Sequence, residues 1–230
     1  MLFRRISEHV KAQNWTAVAL DFVIVVAGIL IAFQITNWSE ARSDRVRERQ
    51  IIVRVHSDFE ALGREVDEKI EFMESVTDVI EEFKQLLVDA PEDADLQRLK
   101  IFYETAFTLP SISGQSDTYL QLVSSGDMSL LTDEQVRAGL VAHASMTTQF
   151  LHQDQAIREW SRPYITPIVR LRSLIDAMPL GEAIDAAGSK ADVIVAIDMY
   201  QNLFQSQLSV QQTHKESFTK VTEMLAEEKN

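Results

Sequence analysis

The feature that most constrains this chain is an apolar run near its start, WTAVALDFVIVVAGILIAF at residues 15–33. Asp21 is its one charged residue. As an α-helix rising about 1.5 Å per residue, the run nearly matches the ~30 Å of bilayer hydrocarbon. Trp15 and Trp38 flank it, as interfacial aromatic anchors do. The pattern therefore predicts a transmembrane helix at residues 15–38.

Two other interpretations of this run have weaker support from the sequence. A buried helix of a soluble protein is disfavoured because the run is apolar on every face. A cleaved signal peptide has some support, since Arg4, Arg5 and Lys11 form a basic region and residues 39–41 (SEA) form a small-x-small triplet. That triplet lies eight residues beyond Phe33, however, and the run is long for a signal sequence. We favour an uncleaved, single-pass anchor surrounded by membrane lipid.

Basic residues lie on both sides of the predicted span, so charge gives little guidance on orientation. The basic tail at residues 1–14 carries three, and residues 39–50 carry four. Large domains translocate largely regardless of charge. We expect the tail to stay inside, with the anchor in a bacterial inner membrane and the large domain in the periplasm.

Residues 21–40, DFVIVVAGILIAFQITNWSE, resemble the start of an uncharacterised bacterial membrane-protein family known only as a domain of unknown function. The shared signature is an acidic residue followed by Gly-Ile-Leu-Ile-Ala-x-Gln-Ile-x-Asn-Trp-x-Glu, with Asp21 standing where the family has Glu. Residues 118–136, TYLQLVSSGDMSLLTDEQV, resemble a second family segment, Tyr-x-x-Leu-x-Ser-Ser-Gly-x-x-x-Leu-Leu. The resemblance implies a membrane helix followed by a helical domain. It implies no activity, because the family has none established.

The remainder of the chain has helical periodicity. Apolar residues recur in steps of three and four at Val55, Phe59, Leu62, Val66, Ile70, Met73, Val76, Ile80, Phe83 and Leu87. A similar stripe follows at Val193, Ile197, Tyr200, Phe204, Leu208, Gln211, His214, Phe218, Val221 and Leu225, in which only Gln211 and His214 are strongly polar. Two such helices cannot bury their stripes alone, so we expect them to pack together or to self-associate.

The predicted fold is therefore all-α: a transmembrane helix continuous with a long helix from about residue 6 to 89, followed by an elongated helical bundle. The predicted domains are the tail 1–14, the span 15–38, a charged stalk 39–54 and the bundle 55–230. Shorter elements are predicted between the long helices. Two helices are expected at 95–109 and 117–125, the second of which stops at Gly126. A helix that begins at a Thr132–Gln135 capping box should run to Trp160, and after Pro163 a further helix to Ala177 and a loop at 178–188 should follow.

Composition narrows the function classes. The chain has no Cys and a net charge of −13, which excludes disulfides and cysteine nucleophiles and disfavours nucleic-acid binding. The five His residues show no metal-binding spacing, and no phosphate-binding glycine motif or nucleophile elbow occurs. Acidic runs such as residues 65–74 are typical of a solvated helix face. We expect no catalytic residue, no metal and no cofactor.

Asp21 is the one residue without an ordinary structural explanation, because a charge within a membrane span is costly. It shares a helix face with Ala17, Val25, Gly28, Ala32 and Ile35, and Gly28-x-x-x-Ala32 is a pair of small residues that lets helix backbones approach. We predict that this face mediates helix association. Interfacial snorkelling and proton or ion transfer are the alternatives.

The function favoured by these features is non-enzymatic: a membrane-anchored scaffold or accessory subunit that docks a protein partner, as a homo-oligomer or within a membrane complex. One alternative is a ligand-sensing bundle resembling those of bacterial chemoreceptors. Such receptors usually cross the membrane twice, whereas no second span is expected before Asn230. The other alternative is an enzyme with a polar cluster assembled from separate helices, for example His143 with His152, Asp154 or Glu159.

Overall fold

The computed structural model describes residues 15–89, 102–104 and 109–229, with side chains from Val18 onward. Within these ranges every regular element is helical and no strand occurs. The elements are α1 (Trp15–Asp89), α2 (Asp117–Ser125), a 3₁₀ helix (Asp127–Leu130), α3 (Glu134–Ser161), α4 (Thr166–Leu174), α5 (Leu180–Ala187) and α6 (Lys190–Lys229). The all-α prediction is confirmed.

Three predictions fall wholly or partly outside the described residues. These are the basic tail at 1–14, the side chains of the interfacial Trp15 and of Ala17, and most of the helix predicted at 95–109. Of that helix, residues 102–104 and Leu109 are described: residues 102–104 are helical, and Leu109 is not.

The chain divides into two compact units, Met1–Gln50 and Ile51–Asn230. In the first unit, the side chains of α1 from Val18 to Gln50 are exposed apart from the half-buried Glu48. One helix in the described residues is long and apolar enough to cross a membrane, and none of its apolar window is buried. Thr36 returns its hydroxyl to the Ala32 carbonyl at 3.1 Å, which keeps that polar group satisfied within the helix.

In the second unit, the predicted apolar stripes form the core. Nine of the ten stripe residues in α1 are buried, and Leu62 is half-buried against them. All ten stripe positions of α6 are buried as well, including the polar Gln211 and His214. The three-four spacing therefore predicted the buried faces of both long helices correctly.

The two long helices are antiparallel, and surface pairs along their length show the register. Lys215 pairs with Asp67 at 2.7 Å and Lys84 with Asp198 at 2.6 Å, near opposite ends of the contact. Between these pairs, Gln205 contacts Thr77 and Gln201 contacts Glu81. Exposed ion pairs contribute little energy each, so the buried stripes supply most of the stability of this contact.

The other helices complete the core. Helix α3 packs along α6, and α4 and α5 pack against each other and against the first part of α6. At that end Phe83 of α1 stacks on Phe102 with ring centroids 3.6 Å apart, and Tyr103 meets both rings edge-on.

The loop predicted at 178–188 is wrong, because residues 180–187 form helix α5. Leu180, Ala183, Ile184 and Ala187 have the spacing of one helix face, and all four are buried. Pro179 lies at the N-cap, where its missing N–H costs nothing. Burial of this face outweighs the weak helix propensity of Gly181, which is exposed.

Two further boundaries differ from their predictions. Helix α3 is capped by Asp133, whose carboxylate accepts from the Val136 N–H at 2.9 Å, and not by Thr132. Aspartate is the better acceptor at this position, so the helix begins one residue later. Helix α4 ends at Leu174, short of the predicted Ala177. The predicted stop at Gly126 is confirmed, since its φ of +81° is left-handed.

Candidate functional site

The most unusual polar cluster in the described residues is a buried pair of histidines, His143 on α3 and His214 on α6. Their exposed fractions are 3% and 0%, and their rings stack with centroids 5.3 Å apart and planes within 12°. Phe59 and Phe218 surround the His143 ring at centroid distances of 4.9 and 4.3 Å. The pair therefore lies where α1, α3 and α6 meet.

The hydroxyl of Thr147 joins the two rings. It donates to the His143 carbonyl at 3.0 Å, and its oxygen lies 3.3 Å from His143 Nε2 and 2.9 Å from His214 Nε2. A hydroxyl has one proton, and we assign it to the carbonyl, with which it makes the helical i−4 bond; in this assignment both imidazoles donate their Nε2–H to Thr147 Oγ1. Thr147 is fully buried, so water does not compete for these bonds.

The same proton count assigns the other ring nitrogens. His143 Nδ1 lacks a proton and accepts from the Ser217 hydroxyl at 2.9 Å. His214 Nδ1 also lacks a proton, and it has no hydrogen-bond partner among the described residues. The geometry thus fits two neutral histidines. A second proton on His214 would lie on the buried Nδ1, where no acceptor is available among the described residues.

The electrostatic surroundings agree with this assignment. Burial and, to a smaller extent, the neighbouring His214 together lower the pKa of His143 to about 4. Burial also lowers the pKa of His214 to about 4, with a second contribution from Lys69 on α1. Both rings are therefore neutral at pH 7.

A groove with a volume of about 620 Å³ lies between α3 and α6 beside the histidines, and we call it the α3/α6 groove. His143 and Ser217 lie in its wall. Apolar residues make up half of its twelve lining residues, and its charged residues are Glu216 and Lys220. The apolar lining consists of Ala138, Gly139, Ala142, Met146, Val221 and Met224.

Polar side chains of α6 continue the cluster away from the groove. Gln207, Gln211 and His214 occupy successive turns and are all buried, and we call them the polar layer. Gln207 donates to the Pro110 carbonyl and Gln211 to the Ser111 carbonyl, both at 3.3 Å. The polar layer thus satisfies backbone groups of a segment that has no helix of its own.

That segment, residues 109–116, is held from several sides. Arg158 of α3 donates to the carbonyls of Leu109 and Pro110 at 3.2 and 3.1 Å, and Gln115 donates to the Ala144 carbonyl. From α1, Lys69 donates to Ser113 at 3.0 Å. This loop, in which Ile112, Ser113 and Ser116 are buried, therefore has partners on α1, α3 and α6.

The polar grouping suggested for an enzyme does not form. His152 is exposed, Asp154 pairs with Arg158 at 2.8 Å, and Glu159 accepts from Gln155. These residues lie two to four turns beyond His143 along α3. The partner of His143 is His214, which is distant in sequence. Among the described residues, no group of three or more His, Asp or Glu side chains could hold a metal ion.

The sequence contains one signal for this site, the interruption of the α6 stripe by Gln211 and His214. Nothing in the sequence connects that interruption to His143, because the contact depends on how α3 packs.

The residues predicted for the membrane face lie in the first unit. Asp21, Val25, Gly28, Ala32 and Ile35 are exposed on α1, and a Cβ added to Gly28 would meet no atom within 4 Å. The predicted anchor Trp38 is 66% exposed, with the Arg42 guanidinium 5.7 Å from its ring centre.

Comparison with protein-family models, with curated proteins and with solved structures finds no match for this chain.

Proposed function

We propose that this chain is a single-pass, non-enzymatic scaffold or accessory subunit, anchored in a bacterial inner membrane, whose helical domain docks a protein partner. The observation that carries the anchor is the exposed apolar window of α1, in which Phe22 is 68% and Phe33 is 63% exposed. An apolar window of this length is seldom left in water. Lipid or another membrane helix would cover it.

The α3/α6 groove supports the docking role. Its lining combines small side chains with two methionines, which adapt readily to different apolar surfaces. Glu216 and Lys220 supply charges of both signs. We propose that the groove receives an amphipathic segment of a partner membrane protein, whose apolar face would meet the lining.

The resemblance at residues 21–40 and 118–136 supports placing the chain with the uncharacterised bacterial membrane-protein family. We further propose that the large domain lies in the periplasm. An alkaline phosphatase fusion after Asn230 tests this orientation, because the fused enzyme is active only outside the cytoplasm.

Site-specific photocrosslinking in intact cells tests the docking proposal. A photoreactive residue replaces Ala142, which is exposed in the groove, and a control replaces Val195, which is 62% exposed elsewhere on α6. We expect one recurrent protein adduct from position 142 and none of that mass from position 195. Release of the protein by carbonate washing would overturn the anchor, and identical adducts at both positions would overturn docking at the groove.

Association through the membrane face is a separate part of the proposal. Gly28 leaves open space on a face that also contains Ala32, which favours close approach of a second helix. Gly28→Ile should reduce the signal in a two-hybrid assay for membrane helices. Ala27→Ile places the same side chain about 100° around the helix and should leave the signal unchanged. Equal signals from both variants would count against this face.

A further inference from the structure

We propose that the His143–His214 pair is an acid-operated latch: the neutral rings hold α3 against α6, and protonation releases that contact and opens the α3/α6 groove. The release itself depends only on the packing of the second unit. Its consequence for partner binding rests on the function proposed above.

The hydrogen bonds of the pair leave no place for a second proton on His214. In this assignment each Nε2 already has a proton and donates it in a hydrogen bond to Thr147 Oγ1, so a further proton goes to an Nδ1 atom. At His143 the Ser217 hydroxyl can rotate and accept it. At His214 no acceptor is within hydrogen-bond distance among the described residues, so a buried N–H would be left unsatisfied.

The stacked arrangement adds a second penalty. The ring centroids are 5.3 Å apart in a site that excludes water, so two imidazolium charges would repel strongly. Phe59, Phe150 and Phe218 make ring contacts with the pair and offer no anionic partner. The energetic cost of protonation is therefore reduced most simply when the rings separate and water enters.

The charged groups on the surrounding helices do not compensate for this. On α1, Lys69 is the charge that acts on His214, and Glu65 is already paired with Lys69 at 2.5 Å. The loop at 109–116 contains no charged residue.

On α6, Lys215 pairs with Asp67 of α1, while Glu216 and Lys220 line the groove as one charge of each sign. Charged residues of α3 near the pair are absent, since residues 138–151 contain only His143 as a titratable group. No carboxylate therefore contacts either ring among the described residues.

The direction of the effect follows from linkage. A histidine that is harder to protonate in the closed state favours closure above its open-state pKa, and this preference is lost as the pH falls toward the closed-state pKa. With an ordinary value of 6.5 in the open state and about 4 in the closed state, the open fraction at pH 5.0 should rise by about 30-fold for each histidine.

Cysteine labelling of the full-length protein in detergent micelles tests the latch, because the chain has no native Cys. Val221 lines the groove and is 3% exposed, so Val221→Cys reports groove opening. Ser206→Cys, on an exposed position of α6, corrects for the reactivity of the reagent at each pH. A dithiopyridine reagent is suitable because it reacts at acid pH.

We expect the corrected labelling rate of Val221→Cys to rise at least 30-fold between pH 7.5 and 5.0. In a His143→Gln/His214→Gln background the rise should be under threefold, and His152→Gln, at an exposed histidine, should leave it intact. If circular dichroism shows that the double variant does not fold, His214→Gln alone replaces it. In that variant the logarithm of the fold-increase in the labelling rate should be at most half of its value with both histidines.

Two results would overturn the latch. One is a labelling rate of Val221→Cys that rises less than threefold in the protein with both histidines, or that rises equally in the variant that lacks them. The other is labelling of Val193→Cys, a buried position near the start of α6, at the same corrected rate as Val221→Cys at pH 5.0, because equal rates would indicate unfolding of the whole domain. Photocrosslinking at Ala142 is scored separately, so failure of partner docking is distinguishable from failure of the latch.

Discussion

Gly63→Ala adds one methyl group to the interior of α1, beside a groove of about 310 Å³ between α1 and α6. The nearest heavy atom to the new Cβ would be Phe218 Cβ at 4.0 Å, an ordinary contact distance. Glycine in a helix interior is about 1 kcal/mol less favourable than alanine. Because no clash offsets this difference, we expect the variant to stabilise the domain by about 1 kcal/mol.

Gly126→Ala makes the same chemical change and should have the opposite effect. Gly126 has a φ of +81°, although a Cβ there would meet no atom within 4 Å. The cost is therefore conformational and amounts to about 1–2 kcal/mol for a residue with a side chain. The two variants should differ by about 2–3 kcal/mol even though neither new methyl group clashes.

Thermal unfolding of the full-length protein in detergent, followed by far-UV circular dichroism, measures both effects. For a domain of this size about 1 kcal/mol corresponds to a change in Tm of roughly 2–4 °C. Gly63→Ala should raise Tm and Gly126→Ala should lower it. A lower Tm for Gly63→Ala would show that α1 does not pass α6 at this position as described.

Three further predictions concern the polar contacts. Between pH 7.5 and 5.0 the free energy of unfolding, measured by urea titration, should fall by about 2 kcal/mol for each of His143 and His214. The reason is that these histidines bind protons near pH 6.5 in the unfolded chain and only near pH 4 in the folded chain. In the His143→Gln/His214→Gln variant the free energy of unfolding should change less with pH. Arg158→Lys should destabilise the domain by about 1–3 kcal/mol, because the contact with the carbonyls of Leu109 and Pro110 is lost. Amide hydrogen exchange in residues 109–116 should accelerate, and unchanged exchange would contradict the contact. Asp58→Asn and Ser116→Ala should show a coupling of about 0.5–3 kcal/mol in a double-mutant cycle, because Ser116 donates to Asp58 at 2.8 Å, and additive effects would argue against this bond.

The buried faces of α1 and α6 could be predicted from sequence because their periodicity reports a local property. Each stripe needs only a partner of some kind, and the spacing of Val55, Phe59 and the residues after them shows which side will be buried. The left-handed stop at Gly126 was likewise predictable, because a single residue type suits that backbone conformation.

Helix α5 was missed because glycines and a proline close together usually indicate a loop. Its apolar residues at 180, 183, 184 and 187 had helical spacing, but eight residues give that pattern little weight against Pro179 and Gly181. Tertiary burial decided the outcome, and local propensity does not report burial.

The histidine site was beyond sequence reasoning for a different reason. His143 and His214 are 71 positions apart and lie on helices whose relative rotation follows from packing. The polar interruption at Gln211 and His214 is visible in the sequence, but its partners are a threonine hydroxyl and a backbone carbonyl, neither of which forms a motif. The predicted membrane face, in contrast, concerns association between chains and stays a prediction.

The polar layer has a consequence for how the two long helices find their alignment. Apolar stripes that repeat about every seven residues are nearly equivalent after a slide of one repeat, which is about 10 Å along the helix axis. Such a slide would move Gln211 and His214 away from the Ser111 carbonyl and the Thr147 hydroxyl. Each buried group left unsatisfied would cost about 1–3 kcal/mol. The polar layer therefore favours one register of the two long helices over the others, which would be nearly equivalent for the apolar stripes alone.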